Sequence, residues 1–246
     1  MSFISDELKE LPFYLTRPSP CPYLEGQVEQ KIFTRLLADN QSDFLLSSQL
    51  TPLGFRRSQT IMYRPACPSC SACVPVRICV ADFNLTRNLK RIHVKNSDLM
   101  SVVISTRDAA PLFNLFNAYQ RARHHESDMA QMALSDFMAM MNEGSDNAAL
   151  LCLRDASGNI IAAMLMDTLG DGTSAVYSFF DPAQEKRSLG TELILRLVEY
   201  TGGQALAFVY LGYWIKQCQK MAYKARFPAL QRLTAHGWEA FIPADR

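Results

Sequence analysis

The chain has 246 residues, enough for one large core or two modest ones, because domains commonly contain about 100 to 200 residues. Its 48% hydrophobic and 20% charged residues exclude a disordered chain and are typical of a globular protein. No run approaches the roughly 20 apolar residues that cross a bilayer, and acidic residues stand where a signal peptide needs a basic start, so we expect a cytoplasmic protein.

The charges are unevenly distributed, although the net charge is only +1. Residues 54–95 hold eight Lys and Arg against one Asp, residues 204–238 hold five against none, and the segment between them is acid-rich. Two basic segments of this kind suit a protein that meets a polyanion on one face, and the alternative is ordinary solvated surface charge.

The N-terminal part is predicted to form a small domain of residues 1–97. Helical spacing of apolar residues from Leu24 to Leu37 predicts a first helix. Two short strands are expected within residues 54–65, a third in residues 74–80, and a short basic helix from Thr86 to Asn96.

Residues 98–246 are predicted to form a second domain. A strand begins at Met100, a helix covers residues 111–124, and a hairpin spans residues 149–169. A strand near residues 174–180, a helix over 186–200, a strand over 205–211 and a basic helix over 215–224 follow. This order predicts an α/β or α+β fold, with a mixed sheet flanked by helices.

Three cysteines, Cys67, Cys70 and Cys73, are separated by two residues each, a spacing that lets thiolates bind one metal from a turn. A fourth ligand would be Cys21 or Cys79, completing a structural zinc site or an iron–sulfur cluster. Free, packed thiols are the alternative. An odd total of seven cysteines fits a reducing compartment better than a disulfide framework.

A strand-to-helix junction at Asp181, Arg187 and Gly190 resembles the pyrophosphate loop of acetyltransferases, where backbone N–H groups at a helix start bind an anion. Glu192 occupies the last position of that pattern, and a carboxylate there is expected to repel a diphosphate. Coenzyme A is therefore disfavoured. An ordinary helix start is the alternative.

Arg121 and Arg123 stand near the end of a predicted helix, where cations complement the helix dipole. Alternatively, one of them binds a carboxylate, since a guanidinium offers a bidentate fork. Farther on, aromatic and basic residues alternate between Tyr210 and Lys224. That mixture suits an unpaired nucleic-acid end, through stacking and phosphate contacts, although aromatic residues on a helix are more often core.

Several segments in the same order together resemble one family, the bacterial arm of the arginyl-tRNA–protein transferases, the aspartate/glutamate leucyltransferases. The segments run from about residue 21 to residue 229 and include CPYL, GFRRS, CPSCSAC, YQRARH, AVYSFFDP, RSLGT and YLGYWIKQCQKMAYKARFPA. The last of these is long and unusual enough to exclude coincidence.

The resemblance implies a cysteine-bearing N-terminal domain joined to an acetyltransferase-like (GNAT-type) domain that uses aminoacyl-tRNA in place of acyl-coenzyme A. Bacterial members typically transfer leucine from leucyl-tRNA to proteins that begin with Asp or Glu, which creates an N-degron, whereas longer eukaryotic relatives transfer arginine. Those relatives have a Cys-Gly-Tyr-Cys turn, and Leu24 replaces its second cysteine here. Only Cys21, Cys67, Cys70 and Cys73 could therefore stand in for the metal centre.

The implied reaction needs no cofactor, because the ester of a charged tRNA is already activated and the acceptor's α-amine can attack it directly. Aminoacyl-tRNA and proteins with N-terminal Asp or Glu are the expected partners, with neither a membrane nor DNA involved. The expected catalytic residues are Asp181, Tyr177 and Tyr210. The expected acceptor-binding residues are Arg121, Arg123 and His124. The expected tRNA-binding residues are Arg56, Arg57, Arg187, Lys216, Lys220 and Lys224.

Three other interpretations stay open from the sequence alone. The donor could be arginyl-tRNA, since composition does not distinguish a hydrophobic pocket from an acidic one. The protein could be a coenzyme A-dependent acetyltransferase, which Glu192 and the basic segments disfavour. It could also be a non-catalytic RNA-binding module supported by the cysteines and the charge.

Overall fold

A computed structural model describes residues 11–36, 40–123, 128–143 and 147–242. In the N-terminal part the elements are β1 (Tyr14–Leu15), β2 (Ser19–Pro20), β3 (Val28–Glu29), β4 (Lys31–Arg35), α1 (Asn40–Leu50), β5 (Arg56–Ser58), β6 (Ile61–Pro65), β7 (Val74–Cys79) and α2 (Arg87–Lys95). The later elements are β8 (Met100–Ser105), α3 (Phe113–Arg123), α4 (Leu134–Asn142), β9 (Ala148–Arg154), β10 (Ile160–Thr168), β11 (Gly172–Phe180), α5 (Leu189–Gly203), β12 (Phe208–Trp214), α6 (Gln219–Ala222), β13 (Leu230–Thr234) and β14 (Gly237–Ala240).

A small antiparallel sheet with the order β1-β4-β6-β5 forms one part of the molecule. Its core contains Leu46 and Leu50 of α1 packed with Phe55 and Met62. The strands predicted within residues 54–65 are confirmed as β5 and β6.

The helix predicted from Leu24 to Leu37 is wrong over its described part, residues 24–36, where β3 and β4 form instead. Gly26 lies in a turn with a φ of +74°, a conformation that a right-handed helix does not contain. The apolar residues with helical spacing therefore belong to a turn and two strands, and pairing of β4 with β6 overrides the local pattern.

The large sheet has the order β14-β13-β7-β12-β11-β10-β9-β8 among the described strands. Its neighbours are antiparallel except for β11 and β12, which are parallel. One face packs against α5, through residues such as Leu193 and Leu197, and the other against α3 and α4, through Phe116 and Phe137. The predicted mixed sheet flanked by helices is confirmed. No helix within the described ranges is long and apolar enough to cross a membrane.

Residues before position 97 contribute directly to the large sheet, because β7 lies between β12 and β13. The basic helix predicted at residues 86–96 is confirmed as α2, whose N-cap Thr86 accepts a hydrogen bond from the Leu89 amide. α2 contacts α5, where His93 Nδ1 lies 3.2 Å from Glu192 Oε1. A domain boundary at residue 97 stays a prediction, and it would cut between β7 and the rest of its sheet.

A buried ion pair joins the two sheets. Arg57 of β5 donates from Nε and Nη2 to the carboxylate of Asp167 on β10, both at 2.7 Å, and the two side chains are 2% and 5% exposed. Arg57 Nη1 also donates to the backbone oxygens of Gln59 and Glu143. Because a buried charge that loses its partner is costly, this pair fixes β5 against the large sheet.

Candidate active site

The parallel strands β11 and β12 are paired at one end and separate at the other. Their register covers only residues 172–174 and 208–210. Immediately afterwards each strand contains a bulge relative to its other neighbour, at Val176 in β11 and at Leu211 in β12. We call the opening between β11 from residue 175 and β12 from residue 211 the fork. Bulges bend strands and are common beside active sites, so the fork is a candidate active site.

Arg56 of β5 fills the end of the fork where the pairing of β11 with β12 stops. Its Nη2 donates to the backbone oxygen of Ala175 at 2.7 Å and to that of Val176 at 3.4 Å. On the opposite side, Gly212 has a φ of +74°, and a Cβ on this residue would overlap the Arg56 guanidinium. The guanidinium therefore holds the space between the strands and replaces the hydrogen bonds that β12 would otherwise make to β11.

Lys224 contacts the backbone of β12, the second strand of the fork. It is buried, and its Nζ donates to the backbone oxygen of Tyr213 at 2.6 Å and to Met221 Sδ at 3.4 Å. Burial and the charge of Arg56 hold the pKa of Lys224 well below its usual range. The Tyr213 hydroxyl in turn donates to the backbone oxygen of Gly54 at 2.9 Å, which ties β12 to the small sheet.

Tyr177 lies in residues 175–180 of β11, the part that is not paired with β12 and that we call the open arm. Its hydroxyl accepts a hydrogen bond of 2.6 Å from Gln120 Nε2, and burial raises its pKa to about 12. Gln120 is fully buried on α3, and the sequence did not single it out. The signal was present, since Gln120 continues the buried Leu112 and Phe116 face at four-residue spacing.

Asp181 follows the open arm and caps the next turn. Its Oδ1 accepts from the Ala183 amide at 2.9 Å, and its Oδ2 accepts from Gln184 Nε2 at 3.0 Å. The side chain is half-buried at the end of β11. Asp181 thus stands at the rim of the fork with a structural role that is independent of any substrate.

Tyr210 is at the closed end, paired with Ser174. Its hydroxyl donates to Asp171 Oδ2 at 2.7 Å and accepts from Arg77 Nη1 at 3.1 Å. Burial, and then the Asp171 carboxylate, raise the pKa of Tyr210. These contacts hold Tyr210 in the closed part of the sheet, and the structure does not bring it to the opening with Tyr177.

The arginines expected to bind the acceptor lie at the end of α3. Arg121 is exposed. Arg123 is exposed too, and its Nη2 pairs with Glu185 Oε1 at 3.0 Å while its guanidinium lies 5.8 Å from the centre of the Phe180 ring. Phe180 ends the open arm of β11, so this end of α3 is close to the fork. His124 lies outside the described residues.

The six cations expected to bind tRNA are in different surroundings. Lys216 and Lys220 are exposed after β12, whereas Arg56, Arg57 and Lys224 are engaged with the protein as described above. Arg187 forms a bidentate pair with Asp98, at 2.8 and 2.9 Å. Of this set, only the two exposed lysines present their ammonium groups freely to solvent.

Glu192 does not occupy the anion position that the sequence pattern assigned to it. Its side chain is fully buried, and its Oε1 accepts from Arg196 Nε at 2.7 Å and faces His93. Burial raises its pKa, and Arg196 and His93 oppose that shift. The expectation that this carboxylate repels a diphosphate at the helix start is therefore wrong, because the side chain points into the contact between α5 and α2.

A second opening, here called the basic pocket, lies beside the fork and encloses about 780 Å³. It is formed by α2, the residues around the start of α5, and the segment after β12. Its cationic lining residues are Arg91, Lys95, Lys186 and Arg226, and no acidic residue is among the described side chains that line it.

The cysteines that the sequence proposed as ligands share a third pocket, of about 410 Å³, which Cys21, Cys67, Cys70 and Cys73 all line. Burial and the other three thiols raise the pKa of Cys73 to about 12. Cys79 is not part of this lining. Within the described ranges, however, no three His, Cys, Asp or Glu side chains are arranged to hold a metal ion, so we derive no chemical step through a metal.

Together, the mixed sheet, its forked parallel pair and the adjoining basic pocket define an α/β protein with a cation-lined pocket next to a break between two parallel strands. The chain belongs to the arginine-tRNA–protein transferase family. The family's N-terminal model matches residues 19–91, and its C-terminal model matches residues 112–234.

The chain is similar over almost its whole length to curated aspartate/glutamate leucyltransferases. It is 45% identical to that of Paramagnetospirillum magneticum, over 95% of both chains. It is 46% identical to that of Parvibaculum lavamentivorans, over 93% of this chain and 94% of the relative. Among solved structures, L-PGS from Bacillus licheniformis is similar with a TM-score of 0.47 and 12% identity over 68% of this chain and 50% of that one.

Proposed function

We propose that this protein transfers leucine from leucyl-tRNA to the N-terminal Asp or Glu of acceptor proteins. The observation that carries the proposal is the 45% identity to an aspartate/glutamate leucyltransferase over 95% of each chain. The two family models match residues 19–91 and 112–234, which include the fork and the basic pocket apart from Ile92 and Lys95.

The fork is the proposed site of the leucyl ester. Residues 175–180 of β11 are not paired with β12, and Arg56 donates to the backbone oxygens of Ala175 and Val176, so the backbone groups of residues 177–180 on that side are the ones open to an acyl group. This arrangement supports the acetyltransferase-like (GNAT-type) domain expected for residues 98–246.

The proposed reaction is aminolysis of an ester. The acceptor's α-amine attacks the leucyl carbonyl, a C–N bond forms, the ester C–O bond breaks, and the terminal ribose hydroxyl leaves with a proton. An α-amine has a pKa of about 8, so a useful fraction is already neutral at pH 7. Orientation of amine and ester can supply about 7 to 11 kcal/mol of the acceleration.

Asp181 and Tyr177 remain our candidates for contact with the reacting groups. They lie on or just beyond the open arm, and the Gln120 hydrogen bond fixes the Tyr177 hydroxyl. Asp181 is the proposed group that orients the amine. Tyr210 is not retained, since it is held at the closed end by Asp171 and Arg77.

Arg121 and Arg123 remain the proposed binding residues for the acceptor's acidic side chain. Arg123 lies over the Phe180 ring at the tip of the open arm, and its partner Glu185 is 70% exposed. A pair this exposed contributes about 0–1 kcal/mol, so an incoming carboxylate could replace Glu185 at little cost.

The proposed partners are leucyl-tRNA and proteins with N-terminal Asp or Glu. The chemistry calls for no cofactor, because the ester is activated before it binds. A structural zinc ion or iron–sulfur cluster at the four cysteines stays a separate prediction, which metal analysis of the purified protein would test.

Transfer of label tests the proposal. Purified protein is mixed with leucyl-tRNA or arginyl-tRNA, each carrying a radiolabelled amino acid, and with peptides that begin with Asp, Glu, Arg or Ala. We expect leucine on the Asp and Glu peptides alone. Arginine on those peptides would contradict the donor while keeping the family's chemistry, and no transfer from either tRNA would contradict the function.

A further inference from the structure

Four cations of the basic pocket come from three distant parts of the chain. Arg91 and Lys95 lie on α2, Lys186 lies just before α5, and Arg226 follows β12. All four side chains belong to exposed residues. Folding therefore concentrates positive charge in one concave site that no single segment of the sequence marks.

The four charges are not neutralised by the protein. Arg91 donates to the neutral Asn88 Oδ1 at 3.0 Å, and Lys95 donates to the backbone oxygen of Lys186 at 2.6 Å. In the part of the chain that the structure describes, none of the four has a carboxylate oxygen within the 4.0 Å of an ion pair.

Within the described ranges, three arginines outside the pocket, unlike the four pocket cations, form ion pairs with carboxylates. Arg123, Arg187 and Arg196 are each paired with a carboxylate, at 3.0, 2.8 and 2.7 Å respectively. An ordinary solvated surface would mix charges of both signs in the same way. The unpaired cations are thus gathered where the surface is concave, and a ligand with several negative charges would be held by them together.

The pocket adjoins the fork through one short segment. Tyr223 lines the pocket, and the next residue, Lys224, donates to the Tyr213 backbone oxygen on the β12 arm. Residues 223 and 224 therefore connect the pocket to the fork, so a ligand in the pocket lies next to the place proposed for the ester. Hydroxyl groups of Ser188 and Thr191, also in the lining, could donate to the same ligand.

We propose that the basic pocket binds the phosphodiester groups next to the 3′ end of the donor tRNA, while the leucyl ester lies in the fork. This assignment rests on the proposed function. It replaces three of the six cations that the sequence suggested as tRNA-binding residues, since Arg57 and Lys224 are buried and Arg187 is paired with Asp98. The phosphates bind through charge, so the pocket fixes the position of the RNA end without reading its bases.

The test compares two variants. The pocket variant carries Arg91→Gln, Lys95→Gln, Lys186→Gln and Arg226→Gln. The control variant carries Arg87→Gln and Lys90→Gln, which remove exposed cations of α2 outside the pocket lining. Affinity for leucyl-tRNA, and for the tetranucleotide of its 3′ end, is measured at several salt concentrations. Thermal unfolding of both variants shows that they are folded.

We expect the pocket variant to lose about tenfold or more in affinity for both RNAs. A plot of the logarithm of its association constant against the logarithm of the salt concentration should be less steep. The magnitude of the slope should decrease by roughly 0.7 for each single-strand phosphate whose cationic partner is removed. The variant's kcat/KM for leucyl-tRNA should fall by a similar factor, because weaker contacts to the phosphates lower the fraction of enzyme with the donor bound. The control variant should keep the original slope for the tetranucleotide.

Other outcomes separate this site from the proposed function. If the unaltered protein transfers leucine but the pocket variant binds both RNAs as tightly as the control, the site is overturned and the function stands. If coenzyme A displaces the tetranucleotide and acetyl-coenzyme A is consumed, the pocket serves a diphosphate and the proposal is overturned. If RNA binding follows the pocket charges but no leucine is transferred, the proposed function fails and the pocket remains an RNA site.

Discussion

The guanidinium of Arg56 occupies the space that a side chain on Gly212 would fill, although the two residues belong to different sheets. One comes from the small sheet, and the other lies in β12 just beyond its bulge. A strand of the small sheet thus sets the width of the fork in the large one, which makes the two parts of the molecule a single functional unit.

Substitutions at these two positions should be strongly coupled. Gly212→Ala forces a Cβ into the Arg56 guanidinium, and overpacking of this kind costs about 1–3 kcal/mol. A positive φ adds about 1 kcal/mol of backbone strain for any side chain. We expect Gly212→Ala to lower both the unfolding free energy and leucine transfer.

In an Arg56→Ala background the overlap is gone, so the added cost of Gly212→Ala should shrink to the backbone strain alone. Urea unfolding of the two single variants and the double variant measures this coupling. Strictly additive effects would contradict the contact that we describe.

The ion pair between Arg57 and Asp167 should dominate the stability of the contact between the sheets. Arg57→Ala leaves a buried carboxylate without its partner, and we expect a loss of about 3–5 kcal/mol in chemical unfolding. Replacing both residues with apolar ones should cost much less.

The matched control is Arg187→Ala, which breaks a bidentate pair with Asp98 whose side chains are 27% and 49% exposed. That change should cost about 0–1 kcal/mol, because exposed pairs contribute little. Equal losses for the two variants would show that burial does not govern the Arg57 pair.

The sequence predicted most of the secondary structure because strands such as β7, β9, β10 and β11 are rich in apolar residues and bounded by turn residues. It failed at residues 24–36, where pairing with β6 outweighs the spacing of apolar side chains. Distance along the chain to the partner strand does not explain this difference, because β7 was predicted correctly although it pairs with the distant β12.

The residues of the candidate site were harder to predict from the sequence than the secondary structure was. Arg57 and Lys224 are cations in basic segments, and only the fold shows that they are buried. The basic pocket assembles residues between Arg91 and Arg226, far apart in the chain, so their shared location has no local signature. In contrast, the strand predicted at residues 174–180 is confirmed, so Tyr177 and Asp181 lie where the sequence placed them, and their catalytic role stays a proposal.

Lys224 should make stability depend on pH. Its pKa is lowered in the folded protein, so between that pKa and about 10.5 the unfolded chain binds a proton that the folded chain does not. The unfolding free energy therefore rises with pH through this interval.

A Lys224→Met variant lacks this contribution. We expect the unfolding free energy of the unaltered protein, relative to the variant, to increase from pH 7 to pH 9.5, as measured by urea unfolding at both values. A difference that is constant or decreases with pH would show that Lys224 is protonated in the folded state as readily as in the unfolded chain.

Asp181→Asn should separate the structural role of Asp181 from a catalytic one. Asparagine keeps an oxygen that can accept from the Ala183 amide and loses only the acceptor for Gln184 Nε2, so stability should fall by about 1 kcal/mol. If the carboxylate orients the amine, kcat should fall at least about tenfold while the KM for leucyl-tRNA stays the same.

Asp155→Asn is the matched control, because Asp155 Oδ1 also accepts from backbone amides in a turn, at Ser157 and Asn159, and lies in the turn between β9 and β10. It should leave kcat unchanged. Equal kcat for Asp181→Asn and the unaltered protein would remove Asp181 from the catalytic group.

The central claim is that the fork holds the leucyl ester, and one structure tests it most directly. The 3′-terminal oligonucleotide of the donor tRNA, with leucine attached through a non-hydrolysable amide, would be crystallised with the protein. We predict leucine between β11 and β12 beyond Arg56, and the adjacent phosphates beside Arg91, Lys95, Lys186 and Arg226. Leucine bound in the cysteine-lined pocket, with the fork unoccupied, would contradict the account.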